Sequence, residues 1–212
     1  QFTGIMACAS VQITHEDIPG MQVETTPLPG VLVITPRVFT DARGFFFESY
    51  NQATWRSYGI ETVFVQDNHS KSARGTLRGL HCQLPPAAQV KLVRVAAGAI
   101  WDVVVDIRRG SPTFGRWFAV ELSAANFRQL YVPIGYAHGF CVLSDTAEVL
   151  YKTSHTYDPV RERSIAWNDP ALGIPWPVAE PLLSPRDRRA GSLADYLADA
   201  PFEYEPPAVS GS

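Results

Sequence analysis

Between Val31 and Thr153 the chain is a succession of short apolar runs, rich in β-branched and aromatic residues and separated by Gly, Pro, Asn or Asp. Such punctuation predicts the strands of an antiparallel sandwich or barrel. Long amphipathic helical patterns are missing from this span. The clearest strand runs from Gly98 to Arg109, where Trp101, Val103, Val105 and Ile107 alternate with Asp102, Val104 and Asp106. That alternation predicts one apolar face for packing and one mixed face able to line a pocket.

Two helices are expected outside the strands. One covers 51–58 with Asn51 as its N-cap, and the other starts at Ser184 with Pro185 in its first turn and runs through an Arg-rich stretch toward Leu197. Beyond it, a Pro-rich segment ending in small polar residues predicts a loose tail. The chain therefore divides into an N-terminal segment over 1–30, one domain over 31–187, and a C-terminal helix with its tail over 188–212. Met6 reads as the natural first residue, with residues 1–5 left over from an expression vector.

With 46% hydrophobic and only 18% charged residues among 212, the chain can bury a substantial core in one domain. A net charge of -3 supplies no overall field for a polyanion, so nucleic acid is not an expected partner. Any phosphate must be met by locally placed Arg and Lys. Cys8, Cys82 and Cys141 are odd in number and widely spaced, which indicates neither a disulfide framework nor a zinc site. No signal-peptide pattern or membrane-length apolar run is present, so a cytoplasmic protein is expected, with no membrane partner.

Polar chemistry concentrates in Gln66-Asp67-Asn68-His69-Ser70-Lys71-Ser72 and, shortly after, in Thr76-Leu77-Arg78-Gly79-Leu80-His81-Cys82-Gln83. A single His in a strand is most often structural. Arg78, Gln83 and Lys91 close by, however, are too many polar side chains for a packing face, and converging polar groups within an apolar barrel mark a site.

These runs, together with Lys91-Leu92-Val93-Arg94-Val95, Ser111-Pro112-Thr113-Phe114-Gly115, Pro133-Ile134-Gly135-Tyr136-Ala137-His138-Gly139-Phe140, Asp145-Thr146-Ala147-Glu148, Tyr151-Lys152, Trp167-Asn168-Asp169-Pro170 and Leu183-Ser184 with Asp187, follow one another in a fixed order. In that order the chain resembles the dTDP-4-dehydrorhamnose 3,5-epimerases from about Val31 to Asp187. The resemblance implies an all-β fold: a cupin-type double-stranded β-helix, or antiparallel jelly roll, with a few short peripheral helices. It implies no cofactor, a dTDP-4-keto-6-deoxyhexose as substrate, and inversion at C3 and C5 in L-rhamnose biosynthesis. A monoepimerase acting at C3 or C5 alone, and a non-catalytic sugar-nucleotide-binding cupin, are the alternatives.

By the same resemblance His81 is the base, Asp187 its carboxylate partner, Lys91 the cation for the enolate oxygen and Tyr151 the acid on the opposite face. Asp102, on the mixed face of its strand, is a second carboxylate able to orient His81. Arg43, Glu48, Gln66, Asp67, Asn68, Arg78, His138, Glu162 and Arg186 fall at ligand-contacting positions, and Tyr157 where thymine is stacked. Arg186 stands where Lys is more usual. In the family the segment around Arg43 and Glu48 serves the partner subunit's site, which implies a homodimer. A catalytic metal is not expected. Metal cupins carry a His-x-His pair and a nearby Glu, whereas here Gln83 takes the place of the second His and the cation Lys91 follows.

Overall fold

The computed structural model describes residues 20–199 and 202–206. In chain order the strands are β1 (Met21–Thr25), β2 (Leu32–Pro36), β3 (Phe39–Asp41), β4 (Gly44–Phe46), β5 (Gln66–Ala73), β6 (Leu77–Gln83), β7 (Lys91–Ala97), β8 (Ala99–Asp106), β9 (Trp117–Ser123), β10 (Gln129–Val132), β11 (Tyr136–Val142), β12 (Thr146–Thr153) and β13 (Glu162–Ser164). They form a six-stranded sheet in the order β1-β2-β10-β7-β12-β5, a five-stranded sheet in the order β13-β6-β11-β8-β9, and the hairpin β3-β4. Every pairing between these strands is antiparallel, as the short, Gly- and Pro-punctuated runs predict.

The sheets pack face to face. Val93, Leu130 and Val149 of the first meet Ile100, Val104, Phe118 and Phe140 of the second in one buried cluster. Two further apolar layers close the outside of the sandwich. Helix α1 (Gln52–Ser57) covers the six-stranded sheet through Trp55, and residues between Ile165 and Phe202 cover the five-stranded one. α1 begins where expected, because the Asn51 side chain accepts the backbone N–H groups of Ala53 and Thr54. Both faces of β8 are buried: Trp101, Val103 and Val105 face the C-terminal layer, while Ile100 and Val104 belong to the core between the sheets. The mixed face thus packs too, with Asp102 and Asp106 fully buried on it.

Three boundaries differ from the sequence reading. β1 lies within the expected N-terminal segment yet pairs with β2 over five positions, so Met21–Thr25 already belongs to the sheet. The helix expected from Ser184 to Leu197 is broken into a 3₁₀ turn (Asp187–Arg189) and helix α2 (Leu193–Ala198). Ser184 does cap a turn, accepting the Asp187 N–H at 3.1 Å. Ala190 is then extended (ψ 137), and Gly191 bridges to Ile165. That tertiary pairing overrides local helix propensity and directs Leu193 and Tyr196 of α2 onto the sheet. The described part of the C-terminal tail is docked, because Phe202 is buried and Tyr204 donates its N–H to Arg109 O at 2.9 Å. The rest of the tail, residues 207–212, and the expected leftover residues 1–5 lie outside the described residues. No helix among the described residues is long and apolar enough to cross a membrane.

Candidate active site

A regular strand places residues three apart on opposite faces, yet Arg78 and His81 both line one cavity of about 620 Å³, to which strands of both sheets contribute. A β-bulge resolves this. β11 pairs His138 with His81 and Phe140 with Arg78, so two steps along β11 match three along β6. The extra residue falls at Gly79-Leu80, where Gly79 has φ 116 and its backbone lies against β11. A Cβ at Gly79 would sit 2.7 Å from both Gly139 Cα and His138 O. Gly79→Ala is therefore expected to lower stability by about 3 kcal/mol and to take activity with it, since the strain and the forced separation of β6 from β11 fall between Arg78 and His81. Urea denaturation reads the first effect, and a variant as stable as the parent would contradict this packing.

His81 Nε2 lies 2.5 Å from Asp187 Oδ1. Ser184 Oγ donates to the other Asp187 oxygen at 2.8 Å, so the buried carboxylate is held from both sides. Burial opposes the Asp187 charge, but the hydrogen bonds of His81 and Ser184 and the positive charge of Arg186 hold its pKa below the usual carboxylate value. A charged carboxylate accepts, so Nε2 carries the hydrogen and the lone pair is on Nδ1. Burial lowers the His81 pKa, and Lys91 and Arg186 add to that, against the opposing pull of Asp187. The imidazole is accordingly neutral at pH 7.

The opposite sheet supplies Lys91 and Tyr151. Lys91, half-buried on β7, places Nζ 3.4 Å from His81 O, and burial lowers its pKa. Tyr151 on β12 also lines the cavity, and burial raises its phenol pKa against the opposing charge of Arg78. It is thereby kept as a proton donor. Strict alternation along β5 turns Gln66, Asn68 and Ser70 into the cavity. Arg78 is fastened by two bonds to Ser72 Oγ, at 3.1 and 3.0 Å.

Tyr157 stands at the rim on a loop held from both sheets. Gln66 Oε1 accepts its N–H at 2.9 Å, and Gln83 accepts the Asp158 N–H at 2.9 Å while donating to Thr156 O at 3.0 Å. Gln83 is thus committed to scaffolding. The Tyr157 hydroxyl donates to Glu162 at 2.7 Å, and Glu162 also pairs with Arg186. His138 lines the cavity beside His81.

Four of the expected site residues lie elsewhere. Asp102 is bonded to His138 Nε2 at 2.8 Å, so the carboxylate orienting His81 is Asp187 and the second carboxylate serves the second histidine. Asp67 points to the outer face of β5 and pairs with Lys152 at 2.8 Å. Arg43, in the β3-β4 hairpin, pairs with Asp41 in solvent, and Glu48 accepts from Asn51 and Thr54 at the start of α1. Among the described residues no group of three His, Cys, Asp or Glu side chains is gathered for a metal ion. Ser184 and Phe140 also belong to the cavity, although neither was expected there in its own right. The spacing of Ser184 three residues before Asp187 was the available signal for the first. For Phe140 the signal was its place at the end of the Pro133–Phe140 run.

A family model described as dTDP-4-dehydrorhamnose 3,5-epimerase matches residues 25–195. The dTDP-4-dehydrorhamnose 3,5-epimerase of Salmonella typhimurium is 56% identical over 179 residues, covering 84% of this chain and 98% of that protein. The crystal structure of dTDP-6-deoxy-D-glucose-3,5-epimerase from Legionella pneumophila in complex with dTDP-4-keto-L-rhamnose superposes with a TM-score of 0.84 at 45% identity, over 88% of this chain and 100% of that one. ChmJ, a 3'-monoepimerase from Streptomyces bikiniensis solved with dTDP-quinovose, superposes with a TM-score of 0.78 at 38% identity, over 84% of this chain and 92% of its own.

Proposed function

This chain belongs to the dTDP-4-dehydrorhamnose 3,5-epimerase family, and from that premise we propose how its cavity inverts C3 and C5 of dTDP-4-dehydro-6-deoxy-D-glucose to give dTDP-4-dehydro-L-rhamnose. The protein is an isomerase of L-rhamnose biosynthesis. His81 removes the proton next to the C4 ketone through Nδ1, and Asp187 supports the imidazolium that forms. The Lys91 ammonium stabilises the enolate oxygen, an attraction strengthened where water is scarce. Tyr151 returns a proton on the other face. The observation that carries this reading is that base and acid come from opposed sheets onto one cavity, with the base tied to a buried carboxylate.

The nucleotide takes the remaining groups: Arg78 and Arg186 face the diphosphate, Gln66 and Asn68 hydrogen-bond the ligand, and Tyr157 stacks on thymine. His138, held by Asp102, and Glu162 complete the wall. We further propose a homodimer in which the segment carrying Arg43 and Glu48 meets the partner's site. The exposed Phe45 and Phe46 of the β3-β4 hairpin, 61% and 69% accessible, support such a contact. Cys82 and Cys141 are free thiols, which supports a reducing cytoplasm.

Incubation with the 4-keto substrate in deuterated water, followed by NMR, tests the reaction. Deuterium at both C3 and C5 is expected; label at one carbon would make this a monoepimerase like ChmJ, and none at either would reduce it to a binding protein. The pH profile follows from the lowered His81 pKa. Protonation removes the lone pair, so kcat/KM is expected to stay level as pH falls from 8 and to drop only below about 6.5, the ordinary His value. An acid limb centred above pH 7 would contradict a neutral His81.

A further inference from the structure

Arg186 is placed in two interactions at once. One guanidinium nitrogen bonds Glu162, another lies 3.3 Å from His81 Nε2, and its Nε lies 4.0 Å from Asp187 Oδ1. Nε2 already gives its hydrogen to Asp187, so it has no lone pair to accept a bond from Arg186. The guanidinium therefore meets the imidazole edge as a bare cation against an N–H.

We propose, building on the function above, that Arg186 couples the anionic end of the substrate to the base: in contact with Glu162 and the His81–Asp187 pair, it opposes the positive charge that His81 must take on, and a diphosphate that engages it relieves that opposition. Of the cations lining the cavity, Lys91 is directed at His81 O and Arg78 is bound twice by Ser72. Arg186 stands half exposed at the rim, where an anion from solvent reaches it first. Its planar fork is what lets one side chain touch Glu162 and the imidazole together, which the point charge of a lysine does not reproduce. Glu162 also accepts the Tyr157 hydroxyl, so the same contact joins the rim that receives the base to the residue that removes the proton.

Around His81 the charged and titratable groups are Asp187 and Arg186 at the 3₁₀ turn, Lys91 on β7, His138 on β11 and Glu162 on β13. Among these, Asp187 favours the imidazolium, and Lys91 and Arg186 disfavour it. The diphosphate is free to engage Arg186 but not Lys91, which lies deeper. Binding of the correct substrate thus strengthens the base that acts on it, and a 4-keto sugar without the diphosphate meets a weaker one.

The test is the titration of His81 followed by ¹⁵N NMR of the imidazole in wild type and in Arg186→Gln, each without nucleotide and with saturating dTDP. Without nucleotide, the midpoint of Arg186→Gln is expected about half to one pH unit above that of wild type. With dTDP, the wild-type midpoint is expected to rise by at least twice the rise in the variant. Equal midpoints without nucleotide, or equal rises with dTDP, would overturn the coupling and leave the proposed reaction untouched. If dTDP perturbed no resonance of the wild-type protein, the nucleotide assignment itself would fall, and the coupling with it.

Discussion

Replacing His81 is expected to lower both epimerisation and hydrogen exchange at C3 and C5 by roughly 10²–10⁴-fold, the contribution of a positioned general base. Exchange and inversion fall together because both begin with the same proton removal. His81→Ala also strips a partner from the buried Asp187, whose carboxylate keeps Ser184 and Arg186. Part of any loss in that variant then reflects a disturbed carboxylate. His81→Gln separates the two effects, since its amide nitrogen reaches the position of Nε2 and can still donate to Asp187 but is not basic. Deuterium uptake by NMR, alongside thermal melting, reads both. A folded His81→Gln that exchanged at the parent rate would remove His81 from the role of base.

Tyr151→Phe is expected to reduce inversion by a similar factor, roughly 10²-fold or more, while leaving measurable exchange. The ring stays, so the wall of the cavity and its packing against the core are kept. Only the donor on the β12 side is lost. The enolate still forms over His81 and collapses on the face it came from, with label incorporated whenever the imidazolium trades its proton with solvent first. Product stereochemistry and deuterium content measured together give the answer. Full-speed inversion of both centres by Tyr151→Phe would place the acid elsewhere.

Taken together, the two variants probe the property that the architecture supplies. His81 and Tyr151 belong to different sheets, β6 of one and β12 of the other, and the sandwich holds the sheets apart across the cavity. An acid and a base on the same strand could not address opposite faces of a sugar ring in this way. Burial drives their pKa values in opposite directions, lowering His81 and raising Tyr151, which favours the neutral imidazole and the protonated phenol that the proposed roles require.

Much of this was legible along the chain. Period-2 alternation and turn residues predicted antiparallel strands, because which face a side chain takes in a strand is set within two residues. The Asn51 cap foretold α1 for the same local reason. The ordered motifs singled out His81, Lys91, Tyr151 and Asp187, which line one cavity, and placed Gln66, Asp67 and Asn68 together at the ligand, whereas alternation along β5 turns only Gln66 and Asn68 inward and Asp67 outward. Tertiary structure alone decided the rest. Arg78 and His81 share a face only because a bulge at Gly79 is pressed against Gly139 of another strand. Which carboxylate serves which histidine was open in the sequence, since His81 meets Asp187 across 106 residues and His138 meets Asp102 across 36. The expected helix from Ser184 broke where Gly191 found Ile165 to pair with. Local propensities favour a conformation over a few residues by tenths of a kcal/mol up to about 1 each, whereas sheet pairing and burial of apolar side chains act over many residues at once and prevail where the two conflict.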